Sequence, residues 1–466
     1  MPETTPTPQR AEFAVGAVDG ERPISPVRQL IAGAAGHTIQ WYDFIAYTYL
    51  AVFFADRIFP ATSDDDLVPL IATYGVFAVG FIMRPIGGLI LGPLADRFGR
   101  RAILQLTVML MATGSLLIAV LPTYDQVGLL APVILIFARL IQSFAEGGEF
   151  ATGSVFLAES ATEGKRGFYS SFMFVGSGLA KMITLGLVAV LTGVLNTGAM
   201  EEFGWRIPFA IGALAAVWGW WLRRGAAETI DVEPSKERRS IRQQASDAFE
   251  GLRSYPGKSL QVFALSAGIS LQAYFWSVYF PIYAGINGDL GAQDTQFIGL
   301  IGLTFYTALI PLVGLLSDRV GRRPILYVFG IGTAVLTMPL LSGIGSDFTL
   351  VLLAQFAGLA VLACGTSVLG AVIAEMFPAH LRVTGMALPY NLAVTIFGGT
   401  VSLIGTALVS SGQSLWFGVY LTAASVITLI ATITLRGSDT AVSMDAEPDV
   451  RARVQEVSTT TAAPPN

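Results

Sequence analysis

GPLADRFGRRAIL, residues 92–104, recurs as GLLSDRVGRRPIL, residues 314–326. The two aspartates, Asp96 and Asp318, stand about half a chain apart in a polypeptide of 466 residues. Each copy follows the second long apolar block of its half. A weaker echo pairs AESATEGKRG with AEMFPAHLRVTG, where Glu159 precedes Arg166 and Glu375 precedes Arg382 at the same spacing. The chain therefore reads as one unit used twice in the same orientation, and the nature of that unit decides the fold.

The unit is a helical membrane bundle. Hydrophobic residues make up 53% of the chain and charged residues 13%, with mean hydropathy +0.62. Soluble domains carry about 25% charged residues. The apolar material comes in blocks of about 20 residues, enough to cross a bilayer core of about 30 Å as helix. The ten-residue alternation of a membrane β-barrel is missing. Twelve spans are expected: 30–55, 68–92, 102–121, 128–157, 167–195 and 206–222, then 259–285, 296–316, 325–344, 349–376, 383–409 and 415–435. The expected fold is an all-α membrane protein of two six-helix bundles, residues 28–223 and 259–436. A linker spans 224–258, and polar tails span 1–27 and 437–466.

Basic residues set the orientation. They cluster in alternate connections: the N-terminal tail, Arg97–Arg101, Lys165–Arg166, the linker, Arg319–Arg323, Arg382 and the C-terminal tail. The positive-inside rule places these, and both termini, in the cytoplasm of a cell membrane. The acidic balance, net charge −5, gives no reason to expect nucleic acid. The single cysteine, Cys364, excludes an intrachain disulfide. No cluster of metal-ligand or nucleophile motifs points to a metal, a cofactor or an enzyme. A transporter-like sensor would need a sizeable signalling domain, which the sequence lacks.

Six charges fall inside the expected spans of the first half away from their ends: Asp43, Arg84, Arg139, Glu146, Glu149 and Lys181. Each costs about 2.5–3.5 kcal/mol at a helix centre on insertion scales. Three acids and three bases can neutralise one another. In RLIQSFAEGGEF, Arg139, Gln142, Glu146 and Glu149 share one helical face. Gln40, Asp43 and Tyr47 form a second stripe. Intramembrane ionisable groups usually face a polar cavity and mark an ion or substrate path. In parallel-repeat carriers that site lies between the halves near the midplane. The second half offers a different surface: Gln272, Trp276 and Tyr279 along the seventh span, and Tyr390 with Asn391 in the eleventh. Aromatic walls with a few amides suit an organic solute with an apolar body.

These motifs resemble the major facilitator superfamily. G-x-x-x-D-R-x-G-R-R is similar to its signature loop, and the repeat sits where that superfamily's repeats sit. More narrowly, GHTIQWYDFIAY, MRPIGGLILGPLADRFGRR, RLIQSFAEGGEF and SSFMFVGSG resemble the metabolite:proton symporter family. That family includes carriers of α-ketoglutarate, citrate, shikimate, proline and betaine. The resemblance covers about Leu30 to Leu435. It implies a proton-coupled symporter that works by alternating access. The expected partners are a small organic solute, protons and the lipid bilayer, with the chain acting as a monomer.

Site residues follow from the same comparison. Glu149 matches the acid of the family's GGE element and is the first choice for the proton carrier; Asp43, in the matching YDF, is the second. Arg139 is expected to tune Glu149 or to hold a substrate carboxylate. The chain departs from the family at His37 and Gln40, where Asn and Glu are usual, at Ser143, and at the added acid Glu146. Glu146 has two readings: it supplies the charge missing at Gln40, or it neutralises the unusual Lys181. His37 is a further candidate proton group, or a hydrogen-bonded packing residue. Arg84, Lys181, Gln40, Tyr47, Gln142, Gln272, Trp276, Tyr279, Tyr390 and Asn391 are candidates for the substrate site. A cytoplasmic gate is expected from Asp96, Arg97, Arg100 and Arg101 with Asp318, Arg319, Arg322 and Arg323, and from Glu159, Arg166, Glu375 and Arg382. The excess of cations favours an organic anion, a mono- or dicarboxylate with a possible aromatic body. A zwitterionic osmolyte such as proline or betaine is the alternative, and a drug:proton antiporter a third.

Overall fold

The structure, a computed structural model, describes residues 26–60, 67–98, 100–159, 161–162, 164–225, 253–288, 290–377 and 382–435. Nearly all of the expected tails and linker lie outside these. Among the described residues the chain is helical throughout, in twelve long traverses. In the first half they are α1 (Pro26–Ile58), α2 (Val68–Phe81 with Met83–Phe98), α3 (Arg100–Ala119), α4 (Leu130–Glu146 with Glu149–Glu159), α5 (Arg166–Val194) and α6 (Arg206–Gly225). In the second they are α7 (Pro256–Tyr274 through Phe275–Tyr279 to Phe280–Gly288), α8 (Ala292–Val320), α9 (Arg322–Ser342) and α10 (Phe348–Glu375). The last two are α11 (Arg382–Ala393 through Val394–Gly398 to Val401–Ser410) and α12 (Ser414–Thr434).

Nine helices among the described residues are long and apolar enough to cross a membrane. The three remaining traverses are α1, α3 and α6. Helix α1 carries a polar stripe. The described residues of α3 and α6 include the shorter apolar helices Gln105–Ala119 and Arg206–Val217.

The breaks have local causes. Pro85 lacks an N–H and cannot close the helical bond at the start of the second α2 segment. Helix α4 divides at Gly147–Gly148. Helices α7 and α11 each contain one wide π-turn, Phe275–Tyr279 and Val394–Gly398. Such turns concentrate at functional sites.

The halves meet along α5 against α8, with α1 against the π-turn of α7, α2 against α11, and α4 against α10 and α11. Helices α3 and α6 pack on each other at one flank, and α9 and α12 at the other. Large apolar side chains such as Leu116, Leu214, Val335, Leu350 and Ile430 are exposed on these and neighbouring helices, a surface suited to lipid.

The second copy of the repeated loop turns tightly between α8 and α9. Gly321 has φ 91°, a conformation that favours glycine. Asp318, one turn earlier, reaches across to the first half. Its carboxylate accepts the backbone N–H of Gly167 at 2.8 Å and of Phe168 at 2.9 Å, capping α5.

Candidate functional site

Two glycine pairs bring the first charges together. Helices α2 and α4 cross so closely that a Cβ on Gly87 would strike the Phe144 carbonyl, and one on Gly147 the Arg84 carbonyl. Small residues at such a crossing let membrane helices approach backbone to backbone. The crossing lays Arg84 beside Glu146, and they form a buried ion pair, each side chain 6% exposed. The Arg84 guanidinium also lies 4.0 Å from the Phe81 ring centre and 4.4 Å from that of Phe44. Its Nη1 donates to the Tyr274 hydroxyl of the second half at 3.4 Å. Glu146 therefore serves Arg84, not Lys181, because the α2–α4 crossing puts the guanidinium nearest.

A second polar cluster lies inside the first bundle. Arg139 Nη1 donates to Gln142 Oε1 at 2.8 Å, and Gln142 Nε2 donates to Ser115 Oγ at 2.9 Å. Asp43 lies beside this chain, within electrostatic reach of Ser115 and Arg139. Asp43 nests against Gly212 of α6, where a Cβ would displace its Oδ1, and that oxygen has no hydrogen-bond partner among the described residues. The Phe44 ring separates the two clusters, with Arg139 4.6 Å from its centre. Tyr47 belongs here: its hydroxyl donates to the Thr73 carbonyl at 2.8 Å, and Arg139 lies 4.4 Å from its ring centre.

Lys181 stands apart. It is buried, and its Nζ donates to Ser277 Oγ on the α7 π-turn at 2.9 Å. It lines a cavity between the halves whose walls include Trp41, Phe174 and Ser177 from the first half. Ser270, Tyr274 and Tyr390 are among those from the second. The cavity volume is about 20 Å³, room for about one or two water molecules. Contacts between the halves flank it on both sides. Towards the repeated loop, Asn391 Nδ2 donates to the Gly147 carbonyl at 2.8 Å, and the Tyr390 ring stacks on Phe150 at 3.9 Å. On the other side, Tyr49 donates to the Ser277 carbonyl at 2.9 Å, and Thr192 to Gln296 Oε1 at 2.8 Å.

A family model described as the Major Facilitator Superfamily matches residues 44–283 and again 265–458. The chain belongs to the major facilitator superfamily. Among curated relatives, the α-ketoglutarate permease of Escherichia coli is 36% identical over 87% of this chain and 93% of its own. The citrate-proton symporter of Klebsiella pneumoniae is 32% identical over 85% and 89%, and the proline/betaine transporter of E. coli 30% over 88% and 83%. The narrower resemblance pointed to these kinds of carrier. The fold matches the xylose transporter of E. coli in a partially occluded inward-open conformation, with TM-score 0.66 at 15% identity. That likeness covers 91% of this chain and 98% of the transporter.

Within this superfamily member, the expected site residues separate. Lys181 and Tyr390 line the cavity, while Arg84 reaches its Tyr274 wall. Asn391 bridges the halves beside it. His37 is buried with its ring 5.5 Å from Trp41. The side chains of Gln40 and Glu149 lie outside the described residues.

The Gln272, Trp276 and Tyr279 stripe turns away from the cavity. Gln272 Nε2 donates to Ser425 Oγ at 2.8 Å, deep in its own bundle. Trp276 packs on Gly358, and Tyr279 hydrogen-bonds Thr406 at 2.7 Å. Gln142, likewise, is used within the first bundle. The reason is rotation: a helical stripe defines a face, not the neighbour it meets. The neighbouring face of α7, Ile269, Ser270, Ala273 and Tyr274, lines the cavity instead. Trp41 and Phe174 line the cavity without having been expected there, and Ser177, one turn before Lys181 on the same polar face, lines it too.

At the loop end, Arg322 Nη1 pairs with Asp318 at 2.7 Å, and its Nη2 lies 3.5 Å from Glu375. Arg382 Nε donates to the Ala374 carbonyl at 3.0 Å. Arg323 reaches Tyr327 at 3.4 Å, Arg319 is exposed, and Arg166 opens α5. The side chains of Asp96, Arg97, Arg100, Arg101 and Glu159 lie outside the described residues.

Proposed function

We propose that this chain is a proton-coupled symporter that imports a small organic acid by alternating access. The observation that carries the reading is Lys181, a buried cation on the wall of a small cavity between the halves. A cation there attracts an anionic cargo and opposes a cationic one. The relatives named for α-ketoglutarate and citrate transport support an acid; those named for proline and betaine keep a zwitterion as the second reading.

The cavity, about 20 Å³, is too small for an organic acid, so cargo enters only when contacts between the halves rearrange. Asp318 capping α5, with Arg322 and Glu375 behind it, forms the cytoplasmic gate in this reading. Proton coupling rests on Glu149 and Asp43. Burial disfavours a charged carboxylate and a nearby cation favours it, so a group that alternates between the two environments takes up and releases a proton. Asp43, with one unpartnered oxygen in the Arg139 cluster, has such surroundings.

Uptake of labelled acids into proteoliposomes, with and without an inward proton gradient, tests the reading. Gradient-dependent accumulation of an acid is expected. Gradient-independent equilibration of every acid offered would rule out symport.

A further inference from the structure

The charges around the cavity are not equally available. Arg84 is committed to Glu146 and covered by Phe44, Phe81 and Tyr274. Arg139 is held in the first bundle by Gln142 and the rings of Tyr47, Phe44 and Phe77. Lys181 alone among the described first-half cations lines the cavity, and its hydrogen-bond partner there is a neutral hydroxyl. It makes no ion pair with a described carboxylate.

The remaining wall is apolar and aromatic: Trp41, Phe174, Tyr274, Tyr390, Ile269 and Leu369. The other polar atoms are neutral: the hydroxyls of Ser177, Ser270, Tyr274 and Tyr390 and the Trp41 indole N–H. The Lys181 ammonium lies 5.5 Å from the Trp41 ring centre, so an acid group on Lys181 sets its own body against that ring. A dianion would place its second carboxylate on this wall against neutral hydroxyls, with no second cation among the described lining residues to offset its desolvation. A zwitterion would bring a second positive charge beside Lys181.

Resting on the organic-acid reading above, we propose that the cargo is a monocarboxylate with an apolar, aromatic-sized body. Lys181 takes its carboxylate, and Glu146 sets the preference by holding Arg84 out of the site. The added acid in the fourth helix is thus a specificity residue: it removes one cation from a site that would otherwise offer two.

Isothermal titration of the purified full-length carrier in detergent, with benzoate, phenylacetate, succinate, 2-oxoglutarate and glycine betaine, tests this without a gradient. The aromatic monocarboxylates are expected to bind at least tenfold more tightly than the dicarboxylates or betaine. Lys181→Met, which removes a buried charge and keeps the side-chain length, should weaken them at least tenfold. Glu146→Gln should raise dicarboxylate affinity relative to monocarboxylate at least tenfold, and adding Arg84→Met should cancel that gain. Tighter binding of a dicarboxylate or betaine by the unaltered carrier overturns the proposal, as does no binding of any probe. Undiminished benzoate and phenylacetate binding by folded Lys181→Met overturns it too, and this variant serves even if Glu146→Gln does not fold. Proton-driven uptake of a dicarboxylate would overturn this inference and leave symport standing. Monocarboxylate binding without proton-driven uptake would do the reverse.

Discussion

Lys181 of the first half donates a 2.9 Å hydrogen bond to Ser277 of the second, on the π-turn whose backbone carbonyl also accepts Tyr49. The cation that faces the cavity is therefore also a tie between the halves. In the proposed reading, an anion that draws the ammonium away from Ser277 competes for this hydrogen bond, and binding then loosens one contact between the halves.

That competition predicts the effect of Ser277→Ala. A net hydrogen bond is worth about 0.5–1.5 kcal/mol, or roughly two- to tenfold in affinity. The variant should bind its anionic cargo tighter by about that factor, read by titration in detergent. Unchanged or weaker binding would separate Lys181 from cargo recognition.

The Arg84–Glu146 pair predicts non-additive stability. Removing one partner of a buried ion pair costs about 3–5 kcal/mol, because the other charge is left uncompensated. Arg84→Met and Glu146→Gln should each lower the thermal unfolding midpoint in detergent, and the double variant should recover most of the loss. Additive losses would show that the two side chains do not depend on each other.

The α2–α4 crossing distinguishes two adjacent glycines. A Cβ at Gly147 meets the Arg84 carbonyl, whereas one at Gly148 meets nothing within 4 Å. Gly147→Ala should cost about 1–3 kcal/mol as an overpacked contact, and Gly148→Ala should be near neutral. The two unfolding midpoints decide; equal effects would place the close approach elsewhere.

Asp318 predicts a shift in gating. Loss of a helix cap costs about 0.5–2 kcal/mol, here charged against the state in which the loop end is closed. Asp318→Ala should open that end, raising labelling of a cysteine introduced at Ser171 several-fold. Labelling no faster than in the cysteine variant with Asp318 intact would remove Asp318 from the gate.

The fold was legible because its signals are local and repeated. DRFGRR and DRVGRR mark one loop twice, and alternate basic connections order the twelve traverses. Arg139 and Glu146 in RLIQSFAEGGEF are both buried beside partners, since each intramembrane charge needs compensation. Partner choice was not legible. Glu146 lies one helical turn from Gln142 yet is claimed by Arg84, because Gly87 and Gly147 let two backbones touch. That contact depends on how α2 crosses α4, which no spacing within either helix encodes. The seventh span illustrates the same limit: its Gln272–Tyr279 stripe is a real face, but it packs into its own bundle, and Ser270 and Tyr274 on the neighbouring face reach the cavity.

Proton-coupled accumulation by a carboxylate in the fourth helix is the central claim, and Glu149→Gln tests it most directly. In proteoliposomes, the variant should fail to accumulate cargo under an inward proton gradient while still exchanging it in counterflow. Accumulation at the level of the unaltered carrier would contradict the account.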